Sequence, residues 1–136
     1  MKGKVFIDTN VFIYLYSDDE PEKKTLAIKQ LENNQCLTST QALNELSNVF
    51  TRKWKLSAQD VENVISEISQ VCEIKLLDVD TVKKALKIHD EYGYSYYDCL
   101  MLSSALQNKC EFIFSEDMQD GQKIEDLEII NIFKFQ

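Results

Sequence analysis

Short apolar segments with the character of β-strands alternate with longer helix-like segments along the whole chain, and this alternation constrains the fold more than any other feature. The strand-like segments are 4–7, 36–38, 74–77, 111–114 and 128–131, and the helix-like ones are 10–16, 21–33, 39–53, 57–71, 80–91 and 95–108. Such alternation favours a parallel sheet covered by helices. We therefore expect an α/β fold with three layers, in which a central, mostly parallel sheet of four to five strands carries helices on both faces.

The length and composition fit one domain that spans residues 1–136. A chain of 136 residues buries a core without disulfides or zinc. One proline and three glycines leave little room for a flexible linker. No apolar run approaches about 18 residues, and Met1 to Lys4 lead directly into a strand-like segment. We expect a cytoplasmic protein without a membrane contact.

Four carboxylates stand where an α/β fold gathers side chains. Asp8 and Asp117 follow strand-like segments, and Glu45 and Asp98 lie early in helices that follow strands. Parallel sheets bind ligands beyond the carboxyl ends of their strands. Carboxylates crowded there repel one another unless one takes up a proton or a hard cation neutralises the set. The pattern predicts a divalent metal site for phosphate chemistry.

Helix capping is the alternative role for two of these acids. Aspartate is a favoured N-cap, so Asp8 could cap the helix that follows it, although Asn10 could provide that cap and leave Asp8 free to face the crevice. Asp98 is the third residue after Ser95, a spacing that fits a capping box. The helix around Asp98 is nearly all apolar, which favours a protected cleft and a cation as its partner.

The segment from Ser115 to Gly121 contains three acids, and its position after a strand does not single out one of them. In an extended chain Ser115 and Asp117 point to the same side and Glu116 points away. Asp117 is our preferred site residue, with Glu116 and Asp120 as the alternatives.

Taken together, these segments resemble the PIN-domain ribonucleases, and more narrowly the toxin subunit of VapBC-type toxin–antitoxin pairs. The resemblance spans essentially the whole chain and is carried by four acidic motifs in the family's order and spacing. They are Phe6 to Val11, Asn44 to Leu46, Ser95 to Leu100 and Ser115 to Gln122.

The resemblance implies a PIN-like fold and hydrolysis of RNA phosphodiester bonds that depends on Mg²⁺ or Mn²⁺. It assigns metal binding and catalysis to Asp8, Asp98 and Asp117, with Glu45 as a fourth ligand or a group that positions water. A further set of side chains would orient these acids or contact the phosphate: Thr9, Asn10 and Ser115.

The resemblance also implies a homodimer held inactive by an antitoxin, whose tail lies in a groove near the site. Phe12, Tyr14, Tyr16 and the helix from Val61 to Val71 are candidate lining residues, with core positions expected for most of them. The net charge of -8, with Arg52 the sole arginine, argues against a broad basic surface for nucleic acid and suits a basic protein partner. The weaker candidates for an RNA path are Arg52, Lys53 and Lys55.

Two other classes of function fit the same acids. An α/β phosphatase or phosphotransfer domain also uses an aspartate after its first strand, but a phosphatase of that kind would have a second aspartate where Asn10 stands. A non-catalytic binding module could keep the fold without the chemistry, although all four acids are present.

Overall fold

A computed structural model describes residues 3–134, so the first two and last two residues of the expected domain lie outside the described residues. The strands are β1 (Lys4–Ile7), β2 (Gln35–Ser39), β3 (Cys72–Lys75), β4 (Phe112–Phe114), β5 (Lys123–Ile124) and β6 (Leu127–Ile130). The helices are α1 (Thr9–Leu15), α2 (Pro21–Asn33), α3 (Thr40–Arg52), α4 (Ala58–Val71), α5 (Val79–Tyr92) and α6 (Tyr96–Gln107).

One sheet contains all six of these strands, in the order β3-β2-β1-β4-β6-β5. Strands β1 to β4 and β6 run parallel, and β5 alone pairs antiparallel, with β6. Because parallel crossovers are right-handed, the helices that lead from β1 to β2 and β3 cover one face of the sheet, and α5 and α6 cover the other. The expected α/β fold, with a mostly parallel sheet between helices, is confirmed.

The sheet differs from the sequence prediction at two places. It has six strands in the described range, where four to five were expected, because β5 is a two-residue strand that leaves no alternating pattern in the sequence. The third strand was predicted at 74–77 but forms at Cys72–Lys75, where buried Cys72 pairs in register with Cys36. Leu76 lies beyond the strand and is exposed, so apolar character alone misplaced this strand.

The two strands at the centre of the sheet, β1 and β4, bring distant parts of the sequence side by side. Ile7 of β1 pairs with Phe114 of β4, and both side chains are buried in the core. The connection after β1 leads toward β2, whereas β4 lies on the other side of β1, so the strand order reverses at this point. Such reversals open a crevice at the carboxyl ends of the two strands. Residues that directly follow β1 and β4 therefore meet at one rim.

Across residues 3–134, no helix combines the length and the apolar character needed to cross a membrane.

Candidate active site

Asp8 follows β1 directly and is buried at the floor of the crevice. One carboxylate oxygen, Oδ1, accepts a hydrogen bond from the backbone N–H of Thr9 at 2.7 Å. The other, Oδ2, accepts one from the hydroxyl of Ser115 at 2.8 Å. Asp8 is thus the N-cap of α1, and the expectation that Asn10 would serve as the cap is wrong. The same side chain caps the helix and faces the crevice.

Glu45 reaches the crevice from the second turn of α3. Its Oε1 accepts a hydrogen bond from the hydroxyl of Thr9 at 2.7 Å, and its Oε2 accepts one from Nε2 of Gln41 at 2.9 Å. Thr9 therefore joins two of the acids, since its backbone N–H binds Asp8 and its hydroxyl binds Glu45. These two hydrogen bonds hold the carboxylate of Glu45 close to the start of α1.

Asp98 lies in the first turn of α6 and is half-buried. The hydroxyl of Ser95 accepts a hydrogen bond from the backbone N–H of Asp98 at 3.2 Å, so Ser95 is the N-cap of this helix. The serine half of the predicted capping box is therefore present.

Asp117 follows β4 and is exposed. Its Oδ2 accepts a hydrogen bond from the side-chain amide of Asn10 at 2.7 Å, and its backbone N–H donates to the hydroxyl of Ser115 at 3.3 Å. Ser115 thus contacts both Asp8 and Asp117. Thr9, Asn10 and Ser115 each hold a carboxylate of the set, which is the geometry expected of orienting residues.

The four acids lie within one another's electrostatic field. Burial raises the pKa of Asp8 to about 7, against the opposing effect of its hydrogen bonds from Ser115 and Thr9, and the charges of Asp98 and Glu45 raise it further. Burial also raises the pKa of Asp98, to which the charges of Asp117 and Glu45 add. Asp98 thus interacts with the other acids from the middle of the set, and the raised pKa of Asp8 comes mainly from its burial.

The two alternative acids of the loop after β4 have other partners. Glu116 accepts hydrogen bonds from the hydroxyl of Tyr14 at 2.5 Å and from Nζ of Lys23 at 2.6 Å. Asp120 accepts one from the backbone N–H of Asn131 at 2.8 Å. Both side chains thus anchor the loop to the rest of the protein, while Asp117 is turned toward Asn10.

Gln41 is a site residue that the sequence analysis missed. Its Nε2 donates to Glu45 and also to the backbone oxygen of Tyr97, at 2.9 Å in each case. Gln41 stands four residues before Glu45 on α3, and that spacing on a helix was the available signal. Its Oε1 is buried and has no hydrogen-bond partner among the described side chains and backbone.

The candidate RNA-binding cations lie away from the acids. Arg52 ends α3, about 10 Å along the helix axis from Glu45, and Lys53 and Lys55 follow it. On α3, Asn48 follows Glu45 by three residues and Arg52 follows it by seven, so all three lie on one side of the helix. Arg52, Lys53 and Asn48 line a shallow cavity. Within residues 3–134, no hydrogen bond or ion pair joins these cations to the four acids.

The four acids are not close enough to one another in this structure to form the expected metal cluster. Within the described range no three Asp, Glu, His or Cys side chains stand close enough to form a metal site as they are. The hydrogen bonds above give the reason, because donors from Thr9, Gln41 and Asn10 hold Glu45 and Asp117. The donor chemistry nevertheless fits a hard divalent cation, since the rim offers carboxylate oxygens, and the amide of Gln41, which binds Glu45, leaves its own oxygen without a partner.

This fold and this acidic rim define an α/β protein whose carboxylates gather beyond the carboxyl ends of β1 and β4. A family model for the PIN domain matches residues 5–120, and the chain belongs to that family. The resemblance inferred from the acidic motifs is thereby confirmed at the level of the family. A comparison with curated protein sequences finds no match.

Solved structures with the same fold include VapC toxins of VapBC toxin–antitoxin systems. A toxin–antitoxin complex from Klebsiella pneumoniae is 20% identical with a TM-score of 0.70, over 90% of this chain and 94% of that one. VapBC-1 from nontypeable Haemophilus influenzae is 17% identical with a TM-score of 0.69, over 96% and 99% of the two chains. VapC20 of Mycobacterium tuberculosis, a sarcin-ricin loop cleaving toxin, is 19% identical with a TM-score of 0.65, over 83% and 89%. At these identities the likeness establishes the fold.

Proposed function

We propose that this protein is a metal-dependent endoribonuclease of the VapC type, the toxin of a type II toxin–antitoxin pair, which hydrolyses phosphodiester bonds of RNA. The observation that carries the proposal is the convergence of Asp8, Glu45, Asp98 and Asp117 at the carboxyl edge of β1 and β4. Burial and mutual repulsion raise the pKa of Asp8 to about 7, which a bound cation would reverse. Membership in the PIN domain family supports the same reading.

The residues that would hold Mg²⁺ or Mn²⁺ are Asp8, Asp98 and Asp117, with Glu45 as a fourth ligand or a group that positions water. When bound, the cation supplies positive charge at the scissile phosphate and makes a nearby water more acidic. The chain itself supplies orientation. Thr9 and Ser115 hold Asp8, and Gln41 and Thr9 hold Glu45. The unpartnered oxygen of Gln41 is an acceptor that the water shell of Mg²⁺ would satisfy.

The activity is tested by incubation of the purified protein with a mixed RNA pool in Mg²⁺, Mn²⁺ or EDTA. We expect cleavage that requires the metal and is lost in Asp8→Asn and in Asp98→Asn. Asp90→Asn is the matched control, because it makes the same change on the exposed surface of α5. Cleavage in EDTA, or full activity in either site variant, would contradict the mechanism. Hydrolysis of p-nitrophenyl phosphate without cleavage of RNA would favour the phosphatase alternative, and RNA binding without any hydrolysis would favour the binding module.

An apolar groove between α2 and α4 is our proposed site for the antitoxin. The groove has a volume of about 290 Å³. Its apolar walls are formed by Leu15, Tyr16, Ile28, Leu31, Ile68 and Val71. Glu32 and Glu67 stand at its edge, which suits an apolar segment flanked by Lys or Arg. Of the four aromatic and helical candidates, Tyr16 and the helix that ends at Val71 line the groove, while Phe12 is buried in the core and Tyr14 contacts Glu116. Structural neighbours solved as VapBC complexes support such a partner.

A second apolar surface, the α5 stripe, is our proposed homodimer contact. It consists of Leu76, Val79, Val82 and Leu86, whose exposed fractions range from 38% to 80%. The last three recur at helical spacing on α5.

Charge supports a second copy as the partner of the α5 stripe. In a twofold arrangement α5 packs antiparallel against itself, so Val79 of each copy would meet Leu86 of the other. The same arrangement would bring Asp80 of each copy toward Lys83 and Lys87 of the other, which pairs opposite charges at the edge of the contact. Such a contact would pair apolar residues with apolar residues and opposite charges with each other.

One reciprocal experiment tests both surfaces. Val71→Asp is expected to abolish capture of the small basic and hydrophobic protein encoded by the neighbouring reading frame, with the sedimentation coefficient unchanged. Leu86→Asp is expected to convert the dimer to a monomer and to leave that capture intact. Each variant is the control for the other, since both add one charge to an exposed apolar residue. The reverse pattern, or no effect of either variant, would contradict the assignment.

A further inference from the structure

One aromatic side chain of the described residues is exposed, and it directly precedes the central acid of the site. Tyr97 is 64% exposed, whereas every other Phe, Tyr and Trp from Gly3 to Lys134 is buried or partly buried. A large ring left in water forgoes the stabilisation that burial gives. An exposed ring of this kind beside Asp98 is therefore more informative than an exposed aliphatic residue elsewhere on the surface.

The position of Tyr97 is fixed from two sides, although its ring is exposed. Its backbone oxygen accepts the hydrogen bond from Nε2 of Gln41, which also binds Glu45. Its ring meets the ring of Tyr96 edge to face, with centroids 5.6 Å apart and an angle of 66° between the planes. Tyr96 in turn packs against the core. The backbone of Tyr97 is thus linked to the acidic site through Gln41, and its ring packs on Tyr96 while much of it stays open to solvent.

The charge around the site favours a contact of this type. The chain has a net charge of -8 and a single arginine, which lies at the far end of α3, so attraction of the phosphates is weak. Stacking of a base on an aromatic ring contributes affinity without any charge and tolerates every base. Tyr97 and Asp98 are adjacent in the first turn of α6, so a base stacked on Tyr97 would lie near the acids of the site.

We propose that Tyr97 is a nucleobase-binding residue, which stacks on an unpaired base next to the scissile phosphate of single-stranded RNA. This inference rests on the proposed ribonuclease function and adds a substrate contact to it. It makes Tyr97 a residue that determines where along a strand the enzyme cuts, because only a nucleotide with a free base face fits the contact.

The test compares Tyr97→Phe, Tyr97→Leu and Tyr97→Ala in cleavage of a short unstructured RNA with Mg²⁺. We expect KM to rise about tenfold in the Ala and Leu variants, with kcat within about twofold of wild type, and both constants to stay near wild type in the Phe variant. The Leu variant separates an aromatic contact from a merely apolar one. Gln59→Ala is the control, since it shortens an exposed, uncharged side chain near the start of α4, outside the acidic site and outside both proposed contact surfaces.

A second measurement uses RNA with an abasic nucleotide on either side of the cleaved bond. If Tyr97 stacks on one of these bases, its removal raises KM for wild type but has no further effect in Tyr97→Ala. Sedimentation of each variant shows whether the ring is instead a contact between two copies.

The outcomes separate this inference from the proposed function. Cleavage by wild type together with an unchanged KM in Tyr97→Ala, or an equal abasic effect in both proteins, would overturn the role of Tyr97 alone. Dissociation of a dimer in Tyr97→Ala would assign the ring to a protein contact. Absence of RNA cleavage by wild type would overturn the proposed function and the stacking role with it.

Discussion

The negative charge of Asp8 is energetically unfavourable in the folded protein. It is almost fully buried, it caps α1, and it lies in the field of Asp98 and Glu45. A carboxylate in this environment favours its protonated form more strongly than it does in the unfolded chain. The stability of the protein without metal should therefore depend on pH in a predictable direction.

We predict that Asp8→Asn stabilises the metal-free protein at pH 8 and has little effect at pH 4. The pKa of Asp8 is about 7 in the folded protein against a usual value of 3.8, so the folded state binds the proton more tightly. The free energy of unfolding of wild type then falls as the pH rises from about 4 to 7, by up to about 4 kcal/mol from this group. Asparagine keeps an acceptor for the N–H of Thr9 and removes the charge. Urea unfolding in EDTA at the two pH values measures the difference.

Asp90→Asn serves as the control for this prediction, because Asp90 is exposed on α5. Addition of Mg²⁺ at pH 8 should stabilise wild type more than the variant, since a bound cation offsets the same repulsion. If Asp8→Asn is no more stable than wild type at pH 8, the conclusion that the charged form of Asp8 destabilises the metal-free protein is wrong.

At the scale of elements, the loop after β4 depends on contacts with helices that are distant in sequence. Nζ of Lys23 on α2 lies 2.6 Å from Glu116, and the hydroxyl of Tyr14 on α1 binds the same carboxylate. The ammonium group also lies 4.7 Å from the centre of the Tyr14 ring. Since Glu116 adjoins Asp117, these contacts set the position of an acid of the site without touching the crevice.

We predict that Lys23→Met lowers kcat about tenfold and leaves the fold intact. Loss of the ammonium group frees Glu116 and lets the loop shift, and small displacements of catalytic groups slow reactions by one to two orders of magnitude. The measurement is steady-state cleavage of RNA alongside far-ultraviolet circular dichroism. Lys24→Met is the matched control, because Lys24 makes only a 3.9 Å ion pair with the exposed Asp18. Equal activity of the two variants would show that the contact does not position Asp117.

The elements themselves were largely predictable from the sequence, because hydrophobic periodicity and capping residues are local signals. Ser95 caps α6 as the sequence indicates, and Ser57 caps α4. The position of β3 was misjudged, since Leu76 is apolar but exposed. The order of the strands was not predicted from the sequence, although the general rule for parallel sheets indicated that Asp8 and Asp117 share one rim. Lys23 was missed because its partner Glu116 is fixed by packing between elements, which leaves no pattern of spacing along the chain. The spacing of Gln41 and Glu45 on α3 was a local signal, and it was overlooked.

At the scale of the molecule, the net charge of -8 means that the proposed RNA substrate, a polyanion, would meet few positive charges. The candidates for the RNA path are Arg52, Lys53 and Lys55, which continue from the side of α3 that carries Glu45. If all three contact phosphates, binding should weaken only modestly as salt increases.

We predict a slope of about -2 for the logarithm of the RNA association constant against the logarithm of the salt concentration, since each phosphate contact on a single strand contributes about -0.7. Arg52→Gln should reduce the slope by about 0.7. Lys87→Gln on α5 is the control and should leave it unchanged. Binding of a fluorescent RNA by Asp98→Asn between 50 and 200 mM KCl measures these slopes. An unchanged slope in Arg52→Gln would place the RNA path elsewhere.

The pairing of β1 with β4 determines when the acidic site can assemble during synthesis of the chain. Asp8 and its hydrogen-bond donor Ser115 are 107 residues apart, as are Asn10 and Asp117. A growing chain on the ribosome contains Asp8 long before it contains Ser115 and Asp117, so the crevice lacks its second half until synthesis has passed β4. A chain that stops before β4 therefore has no assembled site, and under the proposed function it would not cleave RNA.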